Sequence, residues 1–178
     1  MNSNFELCLA KLLIHEGGFV NDSRDNGGMT NLGVTIRVWE EWVGHGVSEK
    51  EMRNLTPAMV APLYKRKYWD ACRANELVPG VDYAVFDVAV NSGVGRAIKL
   101  LQSVVGATPD GGYGSITAAL VKKAEQDPIR LIELYSAKRL EFLESLSSFP
   151  TFGKGWSRRV AEVKADALKM VPQGTSQV

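Results

Sequence analysis

A chain of 178 residues is long enough for one domain with a substantial core, or for two small lobes sharing a cleft, and the single unit is the expectation here. Lys and Arg number 21 against 20 Asp and Glu, a formal net charge of +1, and 45% of residues are hydrophobic, which excludes disorder and broad electrostatic binding to nucleic acid. The two cysteines, Cys8 and Cys72, stand in apolar helical settings without CxxC or Cys/His spacing. They read as buried thiols, with no disulfide framework and no metal site implied.

The first stretch, MNSNFELCLAKLLIHEGG, lacks a basic start, and polar residues interrupt its apolar run. It reads neither as a signal peptide nor as a membrane span, so synthesis in the cytoplasm without stable membrane insertion is expected. Within it Phe5, Cys8, Leu9, Leu12 and Leu13 recur at helical spacing, and Gly17 and Gly18 supply the stop, placing Glu16 at a helix end. The segment 20–34 is too punctuated by glycine for a helix and suits turns or one small β-hairpin. Thr35 then N-caps a helix carrying Val38, Trp39, Trp42 and Val43.

Ser48 with Glu51 forms a capping box, and Thr56 followed by Pro57 is an N-cap with proline at the first helical position. The pattern after Thr56 predicts a helix running past Tyr64, Tyr68 and Trp69 towards Leu77, until Val78–Pro79–Gly80 breaks it. Helical spacing resumes over 83–91 and 98–105, with Ser92–Gly93 as the turn between. Beyond the turn-rich Pro109–Gly114 the pattern predicts helices over 115–125, from Asp127–Pro128 to about Leu146, and over 156–170 after a loop at 147–155. The total is seven to nine helices with at most one small hairpin. The basic lean of the last helix (Lys154, Arg158, Arg159, Lys164, Lys169) reads as a solvated face, with approach to an anionic wall or membrane as the alternative.

Chemistry concentrates in His15–Thr35, HEGGFVNDSRDNGGMTNLGVT, which joins a helix end to a loop of acidic residues, amides, hydroxyls and five glycines. A carboxyl at Glu16, expected at a helix end partly withdrawn from water beside Ile14 and Phe19, suits a general acid. Asp25 follows nine residues later, Asp22 is its rival, and Thr30 and Thr35 carry hydroxyls able to orient a water. Cleavage of a glycosidic bond needs such parts: an acid for the leaving oxygen, and a carboxylate or positioned water across the sugar ring. The alternative is that Asp22 and Asp25 cap turns and Glu16 is a solvated helix end. Neither His15 nor His45 has the partner pattern of a triad or zinc site, and no glycine-rich stretch matches a nucleotide loop, so no metal or cofactor is expected. Tyr68 or Trp69 could stack on a sugar, although aromatics at this spacing are usually core.

On these residues the sequence resembles glycoside hydrolase family 108, whose pattern is close to E-G-G-Y/F-x-N-D-x-x-D-x-G-G-x-T-N-x-G-I/V-T. The likeness continues in YKRKYWDACRANELVPGVDYAVFDVAVNSGVGRAIKLLQSVVG and PDGGYGSITAAL, which resemble the predicted peptidoglycan-binding half accompanying that family, so it covers roughly 5–170. The resemblance implies a mainly α, lysozyme-like α+β fold and N-acetylmuramidase activity on bacterial peptidoglycan, with Glu16 as catalytic glutamate. Asp25 and Thr30 complete a spacing similar to phage-type lysozymes, which usually carry one more residue before the threonine, so the second group stays open between Asp25, Asp22 and a water held by Thr30 or Thr35. Asp22, Asn31, Thr35, Tyr68 and Asn91 are expected on the substrate side, with 1–80 as catalytic lobe and 81–178 as a helical lobe forming the other cleft wall. Asp25 on a loop beyond the helix end favours the wider carboxyl spacing of roughly 6.5–9.5 Å that accompanies inversion over the roughly 5 Å of retention. A monomer acting on the wall after release through the inner membrane, as a phage endolysin does, is the expectation. A bacterial wall enzyme, a non-catalytic peptidoglycan binder and a chitinase- or chitosanase-like hydrolase are the alternatives.

Overall fold

The structure is a computed structural model that describes residues 4–21 and 28–172. Among the described residues the fold is mainly α, with nine α-helices and one two-stranded antiparallel sheet, the lysozyme-like class that the resemblance implies. The chain divides into two compact units, one spanning Phe5–Lys67 and the other running from Tyr68 onward together with Asn4. No helix among the described residues is long and apolar enough to cross a membrane.

The first unit begins with α1 (Phe5–Glu16), which buries Phe5, Cys8, Leu9 and Leu12, one stripe at the 3.6-residue period. Gly17, at φ +74°, ends it where a residue with a Cβ would be strained. Strands β1 (Thr30–Asn31) and β2 (Val34–Thr35) form the hairpin, and α2 (Ile36–Val43) follows directly, its first turn capped by Thr35. The Ser48–Glu51 capping box opens α3 (Glu49–Arg53), and Thr56 with Pro57 opens α4 (Pro57–Tyr64). Helix α1 packs on α4, and the hairpin strands lie against α2 and α3. The core of this unit gathers Leu12, Val34, Met52, Val60 and Leu63.

The helix expected to run on to Leu77 changes form earlier. Residues Lys65–Trp69 make a π-helical turn, Arg73 takes a left-handed conformation at φ 61°, and Ala74–Glu76 form a 3-10 turn. Trp69 accounts for the bend: its ring packs edge-on to Phe86 with centroids 5.2 Å apart, and its indole N–H donates to Asn75 Oδ1 at 2.7 Å. Burying a large ring with its N–H satisfied outweighs local helical preference.

The second unit is built around α5 (Val81–Ser92), in which every residue from Val81 to Ala89 is buried. A helix buried all round serves as a core element. Around it stand α6 (Val94–Val105), α8 (Pro128–Glu144) and α9 (Phe149–Met170), with α7 (Ser115–Ala124) against α6. The break at Val78–Gly80, read from sequence as a lobe boundary, lies inside this unit. Glu125 Oε1 accepts from the Val78 N–H at 2.8 Å, Asp82 Oδ1 accepts from the N–H groups of Gly80 (2.8 Å) and Tyr83 (2.6 Å), and a Cβ on Gly80 would run into the Ala167 carbonyl of α9. The loop before α7 folds over Gln102, 1% exposed, whose amide donates to Asp110, Gly112 and Thr117 and accepts from the Gly111 N–H.

Helix α9 also starts earlier than expected, at Phe149 and not Trp156. Proline and two glycines made FPTFGKG read as a loop. Pro150 instead occupies the first turn, where its missing N–H has no partner to lose, and Gly153 leaves room for the Phe149 ring to fold onto the helix. Both cysteines are buried and neither forms a disulfide, and burial pushes the Cys72 thiol up to about 12.

Candidate active site

Glu16 is the last residue of α1 and is half-buried. Beyond the Gly17 turn, the Phe19 ring lies beneath the Arg53 guanidinium, 4.0 Å from ring centroid to Cζ, and Arg53 is itself held by Glu49 at 2.6 Å. Val20 then bridges to Thr30 through two backbone hydrogen bonds of 2.8 Å. The hairpin pairs Thr30 with Thr35 and Asn31 with Val34 across a two-residue turn, Leu32–Gly33. Both turn residues have positive φ, 49° and 74°, as the tight turn whose twist matches a hairpin requires. Leucine is a poor residue for that conformation, and glycine suits it.

Strand alternation gives the two faces of this hairpin different tasks. Asn31 and Val34 are buried, and the Asn31 amide donates to the Met52 carbonyl at 2.8 Å. Asn31, expected on the substrate side, is therefore an anchor that fixes the hairpin to α3, because a buried amide must be satisfied internally. Thr30 and Thr35, directly opposite each other, are half-buried on the other face. Thr35 Oγ1 also accepts from the Val38 N–H at 3.3 Å, so one of its lone pairs caps α2. Asp22 and Asp25 lie outside the described residues.

The turn itself closes on Glu16. A Cβ built at Gly33 would lie 2.6 Å from the Tyr64 hydroxyl, 2.8 Å from Glu16 Oε2 and 3.0 Å from Glu16 Cβ. Tyr64 is 1% exposed and its O–H donates to the Leu32 carbonyl at 2.8 Å. The structure thus brings Glu16, the Leu32–Gly33 turn and Tyr64 together. Sequence reading placed Tyr64 in the core and missed its polar end. The available signals were that a buried tyrosine hydroxyl needs a partner and that TNLGVT reads as two short strands around a two-residue turn. Leucine in place of asparagine masked the second.

The remaining expected residues belong to the other unit. Tyr68 is half-buried on the π-helical turn, and Asn91 is exposed in the last turn of α5, its Oδ1 accepting from Ser92 Oγ at 3.3 Å. The positive-φ residue at that helix end is Gly93, at φ 89°. A cavity of about 470 Å³ opens between α6, α7 and α8, but its lining of Val104, Leu120, Leu131 and Leu134 has one carboxylate, Asp127, which caps α8. It offers no acid pair. Among the described residues no three His, Cys, Asp or Glu side chains gather as metal ligands would.

Residues 9–93 match the family described as Glycosyl hydrolase 108, a span that holds Glu16, the hairpin, Tyr64 and Asn91. The chain is similar to the solved structure of Brucella abortus SagA, with 37% identity, a TM-score of 0.83, and coverage of 98% of this chain and 99% of that one. No curated protein matches it. Identity of that order over nearly the whole of both chains leaves no segment outside the likeness, and the chain belongs to glycosyl hydrolase family 108.

Proposed function

We propose that this glycoside hydrolase cleaves the glycan backbone of bacterial peptidoglycan between N-acetylmuramic acid and N-acetylglucosamine, with Glu16 as general acid. The observation that carries the reading is the setting of Glu16: a half-buried carboxyl at a helix end, with a strained two-residue turn packed on its oxygen. Backbone at unusual φ beside a carboxyl, within a polar segment of little core value, is where strain marks function. Glu16 protonates the leaving glycosidic oxygen while positive charge grows at the sugar carbon. The second group is Asp25 foremost, Asp22 next, with a water held by Thr30 or Thr35 as the third arrangement. In the inverting form a carboxylate activates that water on the opposite sugar face, and in the retaining form it attacks the sugar itself.

Glu16→Gln is the decisive substitution, since the amide keeps the shape and cannot supply the proton. Digestion of purified sacculi should stop while thermal melting is unchanged; near-normal digestion by the folded variant would refute the role. Mass spectrometry of the wild-type digest identifies the bond: muramic acid at the new reducing ends marks a muramidase, whereas glucosamine ends, or faster cleavage of chitin oligomers, would reject it. The anomer released first distinguishes inversion, the expected outcome, from retention. Asp25→Asn should lose far more activity than Asp22→Asn, and the opposite ranking would exchange their roles.

A further inference from the structure

A glutamate side chain at a helix end turns about three bonds, so an acid there is useful only if something other than the helix sets its direction. At Glu16 that something is visible. Glu16 Cβ and Oε2 both border the position that a Cβ on Gly33 would take, at 3.0 and 2.8 Å. The same point lies 2.6 Å from the Tyr64 hydroxyl. Only a hydrogen atom fits between the three groups. The turn that carries Gly33 includes Leu32 at φ 49°, a conformation leucine holds only where its surroundings fix it. The Tyr64 O–H on the Leu32 carbonyl, 2.8 Å away, is such a fixing contact, and the Asn31 amide on Met52 holds the adjoining strand.

We infer that Gly33 and Tyr64 are positioning residues: the Leu32–Gly33 turn, locked by the Tyr64 hydroxyl, is a clamp that aims the Glu16 carboxyl at the leaving oxygen. The inference rests on the reading of Glu16 as the acid. Neither residue needs to touch the sugar. The glycine is required twice over, for its positive φ and for the space its missing side chain leaves to the carboxyl. The tyrosine is required for one hydrogen bond that phenylalanine cannot make.

Displacing a reacting group by about 1 Å costs on the order of a hundredfold in rate, so the clamp predicts losses in kcat, not in KM. Wild type, Gly33→Ala, Tyr64→Phe and Glu16→Gln would be assayed on solubilised glycan strands from peptidoglycan, below their melting temperatures. Gly33→Ala should lower kcat about a hundredfold and Tyr64→Phe about tenfold, each with KM within about twofold of wild type. Should Gly33→Ala fail to fold, Tyr64→Phe alone decides. Wild-type kcat in folded Tyr64→Phe, or losses confined to KM, would overturn the clamp while an inactive Glu16→Gln leaves the acid standing. A fully active, folded Glu16→Gln would overturn both.

Discussion

Glu16 and Asp87 are both carboxylates on helices, and the protein treats them in opposite ways. Asp87, on α5, is 0% exposed and is gripped by Arg139 of α8 at 2.7 Å and Arg159 of α9 at 2.9 Å. Burial by itself would push its carboxyl up, and the two guanidiniums outweigh burial and hold it below the usual carboxylate range. Such a group stays ionised, tying α5 to α8 and α9, and closed to substrate. Glu16 stands half-buried at the end of its helix, aimed by a turn and a tyrosine. The difference teaches where each unit keeps its order: the helical unit in a buried ion cluster, the unit that begins with α1 in backbone geometry around one side chain.

The comparison breaks if either carboxylate can do the other's work. The largest effect should follow Glu16→Gln, with activity lost by about 10²–10⁴-fold and the melting temperature unmoved, read by sacculus digestion and calorimetry. Asp87→Asn should do the reverse. It leaves the buried Arg139 without its counter-charge and should cost about 3–5 kcal/mol in denaturant unfolding, while kcat per folded molecule stays at the wild-type level. A kcat collapse in folded Asp87→Asn would show that the ion cluster reaches the chemistry.

A third carboxylate sharpens the contrast. Asp82, in the first turn of α5 and 2% exposed, is pushed up to about 6 by burial, against the pull of the Tyr83 and Gly80 N–H groups and the Asn4 amide, with Glu125 adding to the rise. Its ordinary value is 3.8, so the folded protein holds this proton more tightly than the unfolded chain does. The stabilisation is therefore fully present below about pH 4 and is lost as the pH rises through about 6, on the order of 3 kcal/mol in all. Melting curves of wild type and Asp82→Asn from pH 4 to 7 should show the wild type losing stability relative to the variant across that window. A constant difference would remove Asp82 from the account. The smallest effect is Asn31→Ala, which unpins the hairpin from α3 and should cost about 1–2 kcal/mol by denaturant titration, with a fall in kcat that follows from the loosened turn.

The local signals held where one residue settles a local question. The Gly17 stop, the Thr35 and Thr56 caps, the Ser48–Glu51 box and the Asp127–Pro128 start are all present, since a cap is decided within four residues of sequence. Lys65–Leu77 and Phe149–Gly155 were misread because ring packing decided them: Trp69 on Phe86 bends the first, and Phe149 on Gly153 turns a loop composition into a helix start. Asn31 shows the same limit at the site, as the pattern T-N-x-G-V-T does not say which face of the hairpin meets α3.

Sequence by itself determined that Glu16 ends a helix, that a glycine-rich polar segment follows it, and that the chain resembles glycoside hydrolase family 108. Those are properties of neighbours along the chain. Only the tertiary structure decided that Gly33 and Tyr64, 17 and 48 residues away, close on the Glu16 carboxyl, and that Asp87 lies under Arg139 and Arg159. The reason is physical: a contact between distant residues depends on how helices and turns pack, and local propensity carries no information about the partner on the other side.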